Sequence, residues 1–236
     1  MYEKDWPNFS KNLISKVGNI LRSGKINYTN GPYGIKFEKE FSKFVGNKYS
    51  VAICNGTAAL EVAIKSLSLP KNSEIIVTAR SFFSSASCIV NTGYMPVFAD
   101  VNLSTQNISI DDIKKKITKR TKAIICVHLG GLPCDMFGIK QLAYKKKIKI
   151  IEDCSQAHGA SINNKPVGSF GDVSTWSFCN DKIMSTLGEG GMISTNKKNI
   201  YEFCKRQINH GLNFKKNKKT EKFIYNIDYF GTNLRI

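Results

Sequence analysis

The sequence predicts an α/β protein in which helices cover both faces of a mostly parallel seven-stranded sheet, a three-layer α/β/α arrangement. Strand-like and helix-like runs alternate from residue 49 onward, and most strand-like runs are β-branched and apolar on both faces. The strand-like runs cover 49–54, 74–79, 95–100, 122–129, 148–153, 173–178 and 191–196. In such sheets the functional groups lie at the carboxyl ends of the strands.

Helical patterns precede the sheet and fill most gaps between its strands. A first helix is predicted over 9–22, and a helix over 35–46 follows a loop rich in Gly, Asn and Pro. Phe37, Phe41 and Phe44 share one face of the second helix, which predicts that their rings belong to the core. The other helices are predicted at 56–67, 82–93, 109–117, 134–147 and 197–209.

Composition limits the classes of partner. A chain of 236 residues with 42% hydrophobic residues is long enough for one large domain, and its 35 basic and 18 acidic residues give a net charge of +17. Anionic partners fit this charge. The basic runs at 114–120, 144–149 and 214–222 are not interleaved with aromatic residues, and the first two are typical of solvated helix ends. We therefore expect no nucleic-acid binding.

The seven cysteines are scattered and form no CxxC pair, so neither a zinc site nor a disulfide framework is predicted. They are typical of small buried apolar side chains in a reducing compartment. The N-terminus has no apolar signal region, and no run approaches the roughly 18 apolar residues of a membrane span. These observations predict a soluble, cytoplasmic protein that binds neither metal nor membrane. The cysteines are Cys54, Cys88, Cys126, Cys134, Cys154, Cys179 and Cys204.

The first strand-to-helix junction contains Asn55, Gly56 and Thr57. Backbone amides and a hydroxyl at a helix N-terminus favour an anion such as phosphate. Thr57 is either a phosphate ligand or the N-cap of the helix, and the motif alone favours the N-cap.

A second junction ends a buried strand in Glu152 and Asp153, with Gln156 and His158 close behind. A carboxylate in this position could bind a metal, act as a base, hold a protonated ring nitrogen, or cap the next turn. The sequence offers no further acidic or His cluster at metal-ligand spacing. For His158 the favoured interpretation is a core histidine with its hydrogen bonds satisfied.

Ser177 and Lys182 follow the strand-like run at 173–178 and precede the glycine-rich segment "LGEGG". A lysine that forms Schiff bases must be partly desolvated so that its amine is neutral, and this position fits that need. The alternative is an exposed loop lysine. Together, a phosphate cradle, a strand-end carboxylate and a downstream lysine are what a pyridoxal phosphate enzyme requires, and their order in an α/β pattern predicts that cofactor.

Six stretches of the chain resemble the sugar-nucleotide aminotransferases of the DegT/DnrJ/StrS type. They are "LRSGKINYTNGPYGIKFEKEF", "NGTAALEVAI", "IIEDCSQAHGA", "VGSFGDVSTWSFCNDKIMSTLGEGGMISTN", "INHG" and "GTNLR", and they run in family order over nearly the whole chain. The resemblance implies the aspartate aminotransferase-like fold of the fold-type I pyridoxal phosphate enzymes.

By this resemblance Lys182 is the catalytic residue that forms the internal aldimine and then shuttles protons between cofactor and substrate carbons. Asp153 corresponds to the partner of the pyridine nitrogen, and Gln156 to the residue beside the ring oxygen. A related branch replaces the lysine with histidine and dehydrates its substrate, so the retained lysine favours transamination.

The other cofactor-binding positions also follow from the resemblance. Gly56, Thr57 and Ser177 match phosphate ligands, and Phe82 matches the aromatic residue that stacks on the pyridine face, with Phe83 as the alternative. Asn233 corresponds to a residue that reaches the phosphate of the neighbouring subunit, which implies a homodimer.

Family members usually transfer an amino group from glutamate to a nucleotide-linked keto sugar in polysaccharide or glycoconjugate synthesis. They also continue into a C-terminal domain that covers the active site. We therefore expect an N-terminal helix and loop over 1–30 and a large cofactor domain over 31–236, with the small domain missing. Two other functions stay open: a non-catalytic cofactor-binding remnant that pairs with a full-length relative, and a basic nucleic-acid-binding regulator.

Overall fold

The computed structural model describes residues 6–215, 224–227 and 229–236. Seven strands form one sheet, and two short hairpins lie outside it. The sheet strands are β1 (Tyr49–Ile53), β2 (Glu74–Thr78), β3 (Met95–Ala99), β4 (Thr121–Val127), β5 (Lys149–Asp153), β8 (Val173–Ser177) and β9 (Gly191–Thr195). The hairpins pair β6 (Ser161–Ile162) with β7 (Lys165–Pro166), and β10 (Leu212–Lys215) with β11 (Ile224–Ile227).

The sheet is mostly parallel, as predicted. Its strand order is β1-β9-β8-β5-β4-β2-β3, and β9 alone among these seven runs against its neighbours. Because β5 pairs in parallel with both β4 and β8, the carboxyl ends of these three strands meet at one edge. That edge is where the predicted functional groups converge.

The helices cover both faces, as the three-layer prediction requires. Side chains of α3, α4 and α7 pack on one face, and those of α2, α5 and α6 pack on the other. The helices are α1 (Lys11–Ser23), α2 (Tyr33–Phe44), α3 (Gly56–Ser66), α4 (Ser84–Asn91), α5 (Ile110–Lys116), α6 (Met136–Lys146) and α7 (Lys198–Gln207). Among the described residues, no helix combines the length and the apolarity needed to cross a membrane.

Strand alternation explains why the strands are apolar on both sides. In β2, Ile75 and Val77 face the layer of α3 and α4, whereas Ile76 faces the layer of α5 and α6. Successive side chains of a strand point to opposite faces, so a covered sheet must bury both sets. Every residue of β2, β8 and β9 is accordingly buried.

Some expectations are wrong in detail. Phe41 is buried, but Phe44, the last residue of α2, is 52% exposed, and the next residue, Val45, takes the place in the core. Periodicity did not predict the two hairpins. The basic runs at 114–120 and 144–149 are largely exposed, as predicted, whereas most of the run at 214–222 lies outside the described residues. Five of the seven cysteines are buried, while Cys54 and Cys179 are partly exposed.

A buried cluster ties the loop before α2 to the core. The Glu38 carboxylate accepts the Ala52 N–H at 2.9 Å and the Tyr28 hydroxyl at 2.9 Å, and it pairs with the Lys205 ammonium at 3.3 Å. Burial raises the pKa of Glu38 and lowers the pKa of Lys205, whereas the contact between the carboxylate and the ammonium favours the charged form of each. Because desolvation opposes both charged forms, the cluster depends on its mutual hydrogen bonds.

Lys205→Met should lower the free energy of unfolding by about 3 kcal/mol, the low end for a buried pair, because the Lys205 side chain keeps 28% exposure. The loss comes from leaving a buried carboxylate without its cation. Urea denaturation of the full chain measures it. Lys198→Met in the same helix removes an exposed pair with Glu202 and should change stability by less than about 0.5 kcal/mol.

The double variant Glu38→Gln/Lys205→Met removes both charges and should recover at least half of that loss. Equal losses in the single and double variants would contradict a role for the charge pair.

Candidate functional site

A cavity of about 540 Å³ lies at the carboxyl edge of the sheet, where β5 and β8 end. Seven of the eight predicted site residues line it: Gly56, Thr57, Phe82, Asp153, Gln156, Ser177 and Lys182. The structure therefore brings together residues up to 126 positions apart in sequence (182 − 56 = 126). Such a convergence is typical of ligand sites in α/β sheets.

Asn233 is the exception. Its backbone pairs with Asn209, and the next residue, Leu234, accepts the Cys54 N–H at 2.9 Å through its carbonyl. The side chain of Asn233 is exposed and does not line the cavity of its own chain. Its predicted role across a subunit boundary stays a prediction.

The N-terminus of α3 opens into the cavity. Asn55 is its N-cap, and its side-chain oxygen accepts the Ala58 N–H at 2.8 Å. The favoured N-cap interpretation of Thr57 is therefore wrong, because the residue two positions earlier takes that role. With Ala58 capped, the N–H groups of Gly56 and Thr57 are left to meet an anion at the positive end of the helix dipole.

Ser177 completes this cradle from β8. A Cβ atom placed on Gly56 would lie 2.8 Å from the Cβ of Ser177 and 3.3 Å from its hydroxyl oxygen. Only glycine allows α3 to begin this close to the strand. The structure thus places the Ser177 hydroxyl beside the N-terminus of α3, and donors of this kind suit an anion.

The Asp153 carboxylate is 4% exposed and lies on the side of the sheet that faces α3 and α4. Its Oδ2 accepts the Ser85 hydroxyl at 2.9 Å, and its Oδ1 accepts the Ser155 hydroxyl at 2.7 Å and the Ser155 N–H at 3.2 Å. The bond to the Ser155 N–H caps the following turn, which is one of the alternatives that the sequence left open. Sequence reasoning missed Ser85, although "SFFSSAS" is visibly serine-rich.

Two more predicted residues border the cavity. The Gln156 side-chain oxygen accepts the Gly130 N–H at 2.7 Å, which fixes the direction of its amide group. Phe82 and Phe83 are 60% and 71% exposed, and their ring centroids are 4.4 Å apart. Of these two rings, Phe82 lines the cavity and Phe83 does not.

Lys182 is partly desolvated, with 20% of its side chain exposed, as Schiff-base chemistry requires. Its Nζ lies 3.5 Å from the Asp181 carboxylate, and the side chain of Asp181 is 74% exposed. The glycine-rich segment after it fits closely: a Cβ on Gly191 would meet the Asn55 carbonyl oxygen at 2.5 Å. The start of β9 therefore has to be glycine for the loop that carries Lys182 to close against α3.

His158 packs into the core as expected, but its hydrogen bonding is weaker than expected. Its ring packs against Trp176 and Phe178, with centroid distances of 5.3 and 5.6 Å, neither ring nitrogen makes a hydrogen bond of good geometry, and the Ser177 backbone makes only a weak contact with the ring. Burial, together with the nearby positive charge of Lys182, lowers the pKa of His158 to about 4. The imidazole is therefore neutral at pH 7 and acts as a flat apolar contact.

Glu152 belongs to a second buried cluster that sequence spacing did not reveal. Ligand atoms of His128, Glu152 and Cys154 lie within 4.8 Å of one another, although His128 is 24 residues before Glu152. The Glu152 oxygens already accept four donors: the N–H groups of Gly168, Phe170 and Gly171 at 2.8, 2.8 and 2.6 Å, and His128 Nε2 at 3.2 Å. Burial also raises the pKa of the Cys154 thiol, which disfavours the thiolate that metals bind. These donors and this thiol make the cluster a hydrogen-bonded network and not a metal site.

Known proteins share both the sequence and the fold. GDP-perosamine synthase of Escherichia coli O157:H7 is 42% identical over 182 residues, which is 77% of this chain and 50% of that protein. An aminotransferase from Psychrobacter cryohalolentis superposes with a TM-score of 0.95 at 42% identity over 99% of this chain and 60% of that one. NtdA of Bacillus subtilis, solved with bound cofactor PMP, superposes with a TM-score of 0.82 at 33% identity over 94% of this chain and 48% of that one.

The chain spans about half the length of the curated relatives that it matches. The family model described as the DegT/DnrJ/EryC1/StrS aminotransferase family matches residues 7–236. Solved relatives with this fold are pyridoxal phosphate aminotransferases, and they include forms loaded with PLP and PMP. The chain therefore belongs to the DegT/DnrJ/EryC1/StrS aminotransferase family.

Proposed function

We propose that this protein is a pyridoxal phosphate-dependent aminotransferase that moves an amino group from glutamate to a keto sugar linked to a nucleoside diphosphate. The observation that carries the proposal is that Lys182, Asp153 and the cradle formed by Ser177 and the α3 N-terminus line one cavity. These are the covalent anchor, the ring-nitrogen partner and the phosphate site that the cofactor needs.

The residues present fit the cofactor. The helix N-terminus and the Ser177 hydroxyl match a phosphate dianion, and the close approach at Gly56 preserves the space for it. Asp153 offers a buried acceptor for the ring N–H, the exposed Phe82 ring offers a stacking face, and Gln156 would lie beside the ring oxygen. When bound, the cofactor supplies an electron sink for breaking bonds at the amino carbon.

Lys182 has two tasks in this proposal. Its Nζ would be the amine that anchors the cofactor aldehyde, and as a free amine the same Nζ would accept and return a proton at the substrate carbon. The Lys182 side chain, which is 20% exposed, is partly shielded from water and still reaches the cavity. Asp153 keeps the ring nitrogen protonated by accepting its hydrogen bond.

The charges around the cavity support an active site to which two subunits contribute residues. Among the described lining residues Lys182 is the one basic side chain, and four residues bring carboxylates: Glu61, Asp153, Asp181 and Glu189. A nucleoside diphosphate and the carboxylates of glutamate require further cations. We infer that these come from a second subunit, in keeping with a homodimer in which Asn233 reaches the neighbouring phosphate.

Relatives named for nucleotide-sugar chemistry support a sugar as the acceptor, and GDP-perosamine synthase is one of them. The product would then enter polysaccharide or glycoconjugate synthesis. A cytoplasmic location is part of the proposal, because all seven cysteines are free thiols and five are buried.

Purified protein mixed with pyridoxal phosphate should develop an absorbance band near the edge of the visible range, and Lys182→Ala should abolish it, because no other described cavity residue offers an amine. Lys36→Ala, an exposed lysine of α2, should leave the band unchanged. Glutamate should bleach the band of the parent protein. A parent without any band would overturn the proposal, and a band that glutamate and other amino acids leave intact would indicate a non-catalytic cofactor-binding protein.

Gly56→Ala should weaken pyridoxal phosphate binding by about 30-fold, equivalent to about 2 kcal/mol, because its Cβ forces α3 away from Ser177 and lengthens the hydrogen bonds to the phosphate. A titration of apoprotein followed by cofactor absorbance gives the Kd. Gly18→Ala is the matched control, since its Cβ would meet nothing nearer than 3.6 Å and should leave the Kd unchanged. An unchanged Kd in Gly56→Ala would remove the cradle from the proposed site.

A further inference from the structure

Two serine hydroxyls donate to the Asp153 carboxylate, and a third serine contacts one of them. Ser85, which is 1% exposed, donates to Oδ2 at 2.9 Å, and Ser155 donates to Oδ1 from both its hydroxyl and its N–H. The Ser81 and Ser85 hydroxyl oxygens are 2.8 Å apart. The ring-nitrogen partner is thus held by groups from two segments of the chain, the α4 region and the turn after β5.

The direction of this chain of hydrogen bonds follows from proton counting. An ionised carboxylate only accepts, so the single hydroxyl proton of Ser85 is committed to Asp153. Ser81 must then be the donor in its contact with Ser85. Each hydroxyl in such a chain polarises the next, which strengthens the final bond to the carboxylate.

Counting the lone pairs of the Asp153 carboxylate shows how many acceptor sites remain for a ligand. A carboxylate has about four lone-pair sites, and Ser155 occupies both sites of Oδ1. Ser85 occupies one site of Oδ2, which leaves one site on that oxygen. Because the terminal torsion of an aspartate is otherwise broad, donors on both oxygens are what fix the plane of the carboxylate.

The backbone of Asp153 is held independently of these serines. Its carbonyl accepts the His128 N–H at 3.1 Å, and the following residue, Cys154, donates to the Thr175 carbonyl at 2.9 Å. Strand pairing therefore places the Cα atom, whereas Ser85 and Ser155 act on the side chain alone.

We propose that Ser85 and Ser155 are positioning residues of the cofactor site, which hold the Asp153 carboxylate so that the open site on Oδ2 receives the protonated ring nitrogen. This inference rests on the proposed function, because it needs a ligand with a ring N–H. It assigns the two oxygens of Asp153 different tasks: Oδ1 anchors the carboxylate to the turn after β5, and Oδ2 binds the cofactor.

Ser85→Ala should raise the Kd for pyridoxal phosphate about tenfold, the effect of losing one hydrogen bond to a charged group. Ser155→Ala should raise the Kd by only about threefold, because Oδ1 keeps the Ser155 N–H. Ser87→Ala is the matched control, since Ser87 is in the same helix as Ser85 and lies outside the cavity. The Kd of this variant for pyridoxal phosphate should equal that of the parent protein. The apoprotein melting temperature of Ser85→Ala should fall by no more than about 4 °C, because the backbone is held separately.

Each substitution is repeated in an Asp153→Asn background, which separates positioning from direct contact with the cofactor. If Ser85 acts through the carboxylate, its tenfold effect should shrink to less than about twofold in that background. An equal effect in both backgrounds, or equal Kd values for Ser85→Ala and Ser87→Ala in the parent, would overturn the inference and leave the proposed function standing. A parent that takes up no cofactor would overturn both.

Discussion

The arrangement of the site depends on one buried anion, the Glu152 carboxylate. It accepts three N–H groups from 168–171 and the Nε2–H of His128, so it binds two separate loops to the carboxyl end of β5. His128 accepts the Cys134 N–H at Nδ1, which leaves Nε2 as the protonated nitrogen and keeps the pair to a single charge when the imidazole is neutral. A side chain without this charge would leave buried N–H groups unpaired, each at a cost of about 1–3 kcal/mol.

The geometry of β5 connects the Glu152 hydrogen bonds to the cavity on the other face of the sheet. Glu152 and Asp153 are adjacent in β5, so their side chains point to opposite faces of the sheet. The Glu152 oxygens accept hydrogen bonds from the loops on one face of the sheet. The Asp153 carboxylate, on the other face, keeps one acceptor site open on Oδ2. The two adjacent acids therefore differ: Glu152 holds loops of the fold together, and Asp153 lines the cavity.

Short-range patterns predicted most of the fold, and long-range contacts account for what they missed. Alternation of β-branched runs with helical periods predicted all seven sheet strands, because a covered parallel sheet imposes that pattern locally. The order of Gly56, Asp153, Ser177 and Lys182 predicted one site, and all four line one cavity. By contrast, the contact between Ser85 and Asp153 spans 68 residues, and no spacing rule indicates it. Thr57 was misassigned because Asn55, two positions before it, is also a residue type that caps helices, and only the backbone geometry selects Asn55.

Net charge says little about this site. The chain carries +17, yet the described residues lining the cavity bring four carboxylates and one lysine. In the proposed function an anionic cofactor would instead be bound by backbone N–H groups at the start of α3 and by the Ser177 hydroxyl, donors that a charge count does not include. This division suits the chemistry: lysines around the phosphate would offer amines that compete with Lys182 for the cofactor aldehyde, whereas amides and hydroxyls bind the phosphate without reacting. The cavity can therefore hold an anion and still leave one amine to form the covalent bond.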